Sequence, residues 1–294
     1  MITDIVVVLG SALFYSATVF LVAAGLQVVY GVQKVVNLAC GSFFVLGAYT
    51  GSTFVKVAQD LGLHPILSFL PLIVAGFSLF FVGLIVERGL LNFVYKQNAH
   101  FQFLLTFAIA LMLDDVIKFI WGHAPRVVSG VYTAYGRIDL FGAAIPGYNL
   151  VVILSSCIIA VLIGYMFSRT RFGKIVRAAA ENRYMANALG VNMNVVFAKV
   201  FTMGTVLGTL GGALVIPSRA AMPDMGWELM MMSFAVITIG GLGTMKGAFF
   251  GSLLVGIIRS IAIFTFPKVE LLVVYVVVIG VLSFRPQGLF VKMD

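Results

Sequence analysis

168-SRTRFGKIVRAAAENRYMANALGVNMNVVFAK-199 is a polar, cationic island of about thirty residues set between two strongly apolar stretches. The chain around it has 294 residues, of which 61% are hydrophobic and only 10% charged, with a mean hydropathy of +1.10. That composition lies outside the soluble globular range and inside the membrane range. A protein this apolar has no folding reason to put its largest charged block in mid-sequence, so the island is read as a surface offered to a partner in water.

Outward from the island, the apolar runs have the length that a hydrocarbon core about 30 Å thick demands of a helix, roughly 20 residues. They lack the roughly 10-residue alternation of a barrel strand. The chain is therefore read as all-α, a polytopic integral membrane protein with one transmembrane domain over residues 1–294. Spans are expected at 5–30, 35–57, 65–86, 102–121, 149–168, 195–217, 228–245, 247–265 and 269–285. The pair 228–245 and 247–265 is joined only by the glycine-rich GGLGTMKG, as two spans or as one broken, partly re-entrant element. Eight or nine transmembrane elements with broken helices result. The first apolar run, Ile5 to about Tyr30, has no basic leader or evident cleavage pattern and is read as the first span. Cys40 and Cys157 have neither metal-ligand nor CxxC spacing and are expected to be buried free thiols.

The net charge of +8 orients the chain rather than marking nucleic acid. With nine spans, one face collects Lys34, Arg88, Lys96, the cations of the island, Lys246, Arg285 and Lys292. The other holds most of the acids, including Asp4, Asp60, Asp139, Asp224 and Glu270. The positive-inside rule makes the first face cytoplasmic, with the amino terminus outside. Helix contacts are expected where small residues recur every fourth position, at Gly204, Gly208 and Gly212, at Gly247 and Gly251, and at Gly47 and Gly51.

Within the island, Lys174 to Leu189 suits one helix, with three alanines in a row, no proline, and Gly190 placed as C′. Ile175, Ala179, Ala186 and Leu189 share one stripe, and Lys174, Arg177 and Glu181 another. Three uses are open: lying on anionic lipid, forming a solvated loop, or fitting a groove on a second protein. An alanine face lacks the bulky anchors of a lipid-surface helix and suits close protein contact.

The stretch FGKIVRAAAENRYMANALGVN at 172–192 resembles the cytoplasmic coupling loop of ABC importer permeases, in the version of the branched-chain amino acid (leucine, isoleucine, valine) permease family. GLQVVYGVQKVVNLACGSFFVLGAY at 25–49, IGGLGTMKGAFFGSLLVGI at 239–257 and FRPQGLF at 284–290 are similar to the same family, in its order. The resemblance implies a permease of the inner membrane of a bacterium or archaeon, paired with a homologous second permease, two cytoplasmic ATPases and an external solute-binding protein. It implies a coupling helix over 172–190, with Lys174, Arg177, Ala178, Ala179, Ala180, Glu181, Ala186 and Gly190 as ATPase-coupling residues. No Walker A run occurs, so this chain is expected to hold no cofactor and to catalyse nothing, with ATP and Mg on the ATPase partners. The family has histidine where this sequence has Cys40, which replaces a titratable ring by a small, weakly polar thiol. The implied solutes are leucine, isoleucine or valine, with other amino acids, amides, urea or aromatic acids as alternatives.

Polar groups at bilayer depth are costly unless they pair or line a wet path. Asn37, Cys40, Gly41 and Ser42 at the second span, and Gly240, Gly241, Gly243 and Thr244 at the glycine-rich link, are the expected lining of a translocation path. Asp114 and Asp115 stand four and three residues before Lys118 and are expected to form an intramembrane ion pair with it. Arg259 lies in an apolar run and is expected to snorkel outward, to pair with an acid, or to attract a substrate carboxylate. Arg219, Asp224 and Glu228 beyond the sixth span are natural contacts for a docked binding protein. The competing reading is a secondary transporter or channel working alone, which would use a ladder of ionisable groups that the spans lack.

Overall fold

The computed structural model describes residues 2–95, 97–140 and 142–290; Lys96 and Lys292, counted above among the inner cations, lie outside them. Each of the nine apolar segments is helical. α1 (Ile2–Gln33) and α2 (Cys40–Asp60) are separated by a short link in which Lys34 has φ +57°. α3 (Pro65–Val94) is interrupted after Ser78 and contains a π-helical turn at Glu87–Leu91. α4 covers Ala99–Trp121. A short α5 (Ser129–Ala134) precedes an antiparallel hairpin of β1 (Arg137–Leu140) and β2 (Ala143–Pro146), with Arg137 opposite Pro146 and Leu140 opposite Ala143. Then follow α6 (Gly147–Arg169), α7 (Arg171–Glu181), α8 (Arg183–Ala188), α9 (Met193–Val215), α10 (Met225–Gly240), α11 (Met245–Thr265) and α12 (Pro267–Phe284). The hairpin departs from the all-helical expectation because its two four-residue strands are too short for alternation to register.

Among the described residues, α1, α3, α6, α9, α11 and α12 are long and apolar enough to cross a membrane. The glycine-rich link joins two helices, α10 and α11, which fold back on each other. A Cβ at Gly240 or at Gly247 would overlap the other's backbone, so only glycine permits the turn to close this tightly. α10 has 16 residues and rises about 24 Å, less than a full bilayer core.

α9 is the central helix, and small residues put it there. Gly204 meets the backbone of Gly25 in α1, and Gly212 lies against the Phe44 carbonyl of α2, as does Gly47 against Thr209. Lipid tails are as apolar as leucine, so this close approach, rather than escape from solvent, holds the bundle together. Hydroxyls add bonds between helices: Tyr148 Oη donates to Leu214 O at 2.7 Å, Thr209 Oγ1 to Gly76 O at 2.9 Å, and Ser260 Oγ to Val8 O at 2.8 Å.

The link at 34–39, α7 and α8, the turn at 241–244 and the segment 285–290 share one end of the bundle, where the island's cations lie. The hairpin and the loop at 216–224 share the other, where a β-bridge between Arg126 and Ala221 joins that loop to the segment that follows α4. Both glycine-bearing breaks expected inside the membrane are helix ends at the cation-bearing end of the bundle; interruptions within a long apolar helix belong to α3. Cys40 is buried as expected, but Cys157 is exposed. It lies on α6, a peripheral helix, and borders the shallow groove between α6, α1 and α11.

Candidate functional site

The island forms two helices rather than one. Thr170 Oγ1 accepts from Gly173 N at 3.2 Å and starts α7, and Asn182 Oδ1 accepts from Met185 N at 2.9 Å and starts α8. Asn182 itself is extended, at φ −145° and ψ 97°. An asparagine side chain competes with the backbone for its own hydrogen bonds, which is why a proline-free run still breaks here. Gly190 does end the element at φ +87°, with its N–H on Asn187 O and Val191 N–H on Ala186 O.

The break turns the surface away from the expected stripe. Gly173, Val176, Ala179 and Ala186 are buried, whereas Ile175 and Leu189 are exposed. The alanine face is thus spent on the bundle itself. What points outward is Lys174, Arg177, Ala178 and Glu181 on α7, Ala180 being half-buried, and beyond them Tyr184, Met185 and Gly190.

Beneath α8 lies a cluster that the sequence reading missed. The Arg183 guanidinium stacks over the Phe197 ring, 4.6 Å from its centroid, and Phe197 meets Tyr95 edge to face at 4.7 Å. Tyr95 Oη donates to Glu87 Oε1 at 3.1 Å and accepts from Gln33 Nε2 at 3.1 Å. Burial, and after it the Glu87 carboxylate, push the Tyr95 phenol above its ordinary range, so the hydroxyl stays protonated and able to donate. The island is thereby tied to the ends of α1, α3 and α9 at once. An open cleft of about 680 Å³ lies beside it, between Tyr95, Tyr184, Asn187 and Asn194. A signal was present: Glu87 is an acid in an otherwise apolar run, and a π-helical turn there aims it inward.

The residues expected to line a path are engaged in helix contacts. Asn37 Oδ1 accepts from Ala39 N at 3.0 Å, Gly41 packs on Gly226, and Ser42 Oγ donates to Ala110 O at 3.1 Å. At the other link, Gln27 from inside α1 donates to Gly241 O at 2.6 Å and Thr244 O at 2.7 Å, pinning the turn, and Thr244 Oγ1 bonds Gly241 O. Gly243, at φ +86°, comes close to Gly31 of α1. The 284–290 signature closes α10: Leu289 N–H reaches Ile239 O at 2.8 Å and Phe290 N–H reaches Gly240 O at 3.2 Å. These are carbonyls that a helix end leaves open.

The expected pairing of Asp114 and Asp115 with Lys118 is not closed; among the described residues the ion pairs within 4 Å belong to Arg259. Asp114 is buried and turns to Ser42 and the Trp227 indole, while Asp115 points outward. Helical spacing puts an acid and a lysine on one face, but Asp114 lies on the side of α4 that packs against the rest of the bundle. Arg259 is paired with acids, as one reading held. It is 4% exposed, 2.8 Å from Glu228 Oε1 and 3.2 Å from Glu270 Oε1, and it covers the Tyr15 ring at 4.2 Å. Glu228 thus ties α10 to α11, while Arg219 and Asp224 remain exposed at the outer surface.

The family model described as branched-chain amino acid transport system / permease component matches residues 8–282. The high-affinity branched-chain amino acid transport system permease protein BraD of Pseudomonas aeruginosa is 24% identical over 293 residues, covering 96% of this chain and 94% of that protein. The probable branched-chain amino acid transport permease protein LivH of Methanocaldococcus jannaschii is 28% identical over 258 residues, 86% of this chain and 80% of that one. The fructose import permease protein FrcC of Rhizobium meliloti is 24% identical over 265 residues, 85% and 72% of the two chains. Matched over nearly its whole length, this multi-pass inner membrane protein belongs to the family of branched-chain amino acid transport system permease components.

Proposed function

We propose that this chain is one of two membrane subunits of an importer for a branched-chain or other small amino acid, and that the stroke of an ATPase enters it through α7 and α8. Permease components of this family work with ATPase and solute-binding partners, and ATP hydrolysis lies in those partners. The proposed assembly adds a homologous second permease, two cytoplasmic ATPases carrying ATP and Mg, and an external binding protein seated near Arg219, Asp224 and the rim at Glu228. An amino acid solute is supported by the names of BraD and LivH. FrcC, named for fructose import, matches at the same 24% identity over a smaller share of both chains, and solute choice is accordingly assigned to the binding protein rather than to residues of this chain.

The observation that carries the coupling reading is the contact chain Arg183, Phe197, Tyr95, Glu87 and Gln33. A push on the exposed side of α7 and α8, at Lys174, Arg177, Ala178 and Glu181, displaces Arg183 and, through the rings, the inner ends of α1 and α3. α1 carries Gln27, which grips the turn at Gly241 and Thr244. In this proposal Asn37 to Ser42 and Gly240 to Thr244 form an inner gate around the last turns of α1.

The test uses the complete importer in proteoliposomes. Tyr95→Phe keeps the ring contact but removes the hydroxyl from Glu87 and Gln33, a loss of about 1–3 kcal/mol. Uptake per ATP hydrolysed is expected to fall about tenfold, the equivalent of about 1.4 kcal/mol, with hydrolysis retained. A proportional fall of both rates would sink the coupling route. Robust uptake by vesicles holding this chain alone would falsify the importer reading itself.

A further inference from the structure

We propose that the groove between α3 and α9 is a binding site for one anionic phospholipid of the inner leaflet. The groove encloses about 400 Å³. Phe80 and Leu84 of α3 form one wall, and Met203 and Val206 of α9 the other. Toward its inner end stand Arg88 and Lys199, with Val195 one turn beyond Lys199; both cations are exposed and in no ion pair within 4 Å among the described residues.

The order of these groups along the helices matches a phospholipid. Arg88 lies eight residues inward of Phe80 and Lys199 seven inward of Val206, which is about 10–12 Å at 1.5 Å per residue. Two cations therefore sit at the level of a phosphate while the apolar walls run at the level of an acyl chain. Beyond its first turn α9 is enclosed by protein except at Lys199 and Met203, which with Val195, at four-residue steps, make an uncovered strip along the groove. The π-helical turn of α3 adds to this arrangement: it sends Glu87 inward to Tyr95 and leaves Arg88, the next residue, facing out. Thr202, also at the groove, satisfies its hydroxyl on Ala198 O and adds no polar demand to the wall. An apolar slot with an unneutralised cationic mouth suits an anionic headgroup in the negatively charged inner leaflet. A zwitterionic lipid leaves the mouth uncompensated. A helix of another subunit would need an acid at that depth.

Delipidated full-length protein is titrated with phosphatidylglycerol or phosphatidylcholine and the retained lipid is counted by native mass spectrometry. The wild type is expected to retain phosphatidylglycerol about tenfold over phosphatidylcholine, and the double variant Arg88→Gln, Lys199→Gln to lose that preference. Met203→Trp, which fills the groove and keeps both charges, is expected to lose the retained lipid. Because a variant can fail to fold, photoreactive phosphatidylglycerol is also applied to the wild type, and peptides spanning 77–88 or 195–206 are expected to carry the label. Equal retention of the two lipids by the wild type, or label absent from both peptides, overturns the proposal. So does a crosslink in the assembled importer that joins this groove to another subunit instead of lipid.

Discussion

α9 and α12 are both apolar helices of membrane length, yet 83% of the central stretch of α9 is buried in the protein against 6% for α12. Hydropathy ranks them the wrong way round, since the exposed helix is the more hydropathic of the two. In water the greasier helix would be drawn inside. In lipid it has no such reason, and size decides instead: α9 carries Gly204, Gly208, Gly211 and Gly212 with three threonines among them, whereas α12 is a run of valine, leucine and isoleucine.

The same exchange made on both helices is the sharpest way to break that contrast. Gly212→Leu on α9 drives a side chain into the Phe44 carbonyl and the Ala48 amide, and overpacking of this kind costs about 1–3 kcal/mol or more. The variant is expected not to accumulate as a monodisperse protein in detergent, and a wild-type melting temperature would contradict the account of α9. An intermediate effect is expected from Gln27→Leu, which removes one of two donors from each of the Gly241 and Thr244 carbonyls in the turn after α10, at about 1–3 kcal/mol for the two bonds by thermal unfolding and with faster proteolysis at 241–244. An unchanged turn would mean that the strap at 285–290 holds it unaided. Gly280→Leu on α12, where an added Cβ meets nothing within 4 Å, is expected to stay within about 0.5 kcal/mol of the parent. A large loss there would place α12 in a packed interface.

The helical segments, the gathering of the cations at one end of the bundle and the glycine seams were legible because they follow from length, charge and small-residue spacing. What stayed hidden depends on which way one side chain turns. Asn182 was read as helix because its neighbours favour helix, and only its own cap to Met185 shows the break. Ala179 and Ala186 were read as a face for a partner protein, but they are buried against this chain's own bundle, and the charged face of α7 is the one left exposed. Asp114 and Lys118 had the right spacing, but their charged ends do not meet within 4 Å. Tyr95 escaped notice because its importance comes from Gln33, Glu87 and Phe197, which are far apart in sequence and met only once α1, α3 and α9 had packed.

The bonds from Leu289 and Phe290 to the last carbonyls of α10 set an order of events during synthesis. α10 is translated some fifty residues ahead of its own closure, so the inner mouth of the α10 and α11 hairpin stays unlatched while α12 threads into the bilayer. A ribosome that stalls within α12 therefore leaves the Ile239 and Gly240 carbonyls without these two donors until residues 289 and 290 arrive.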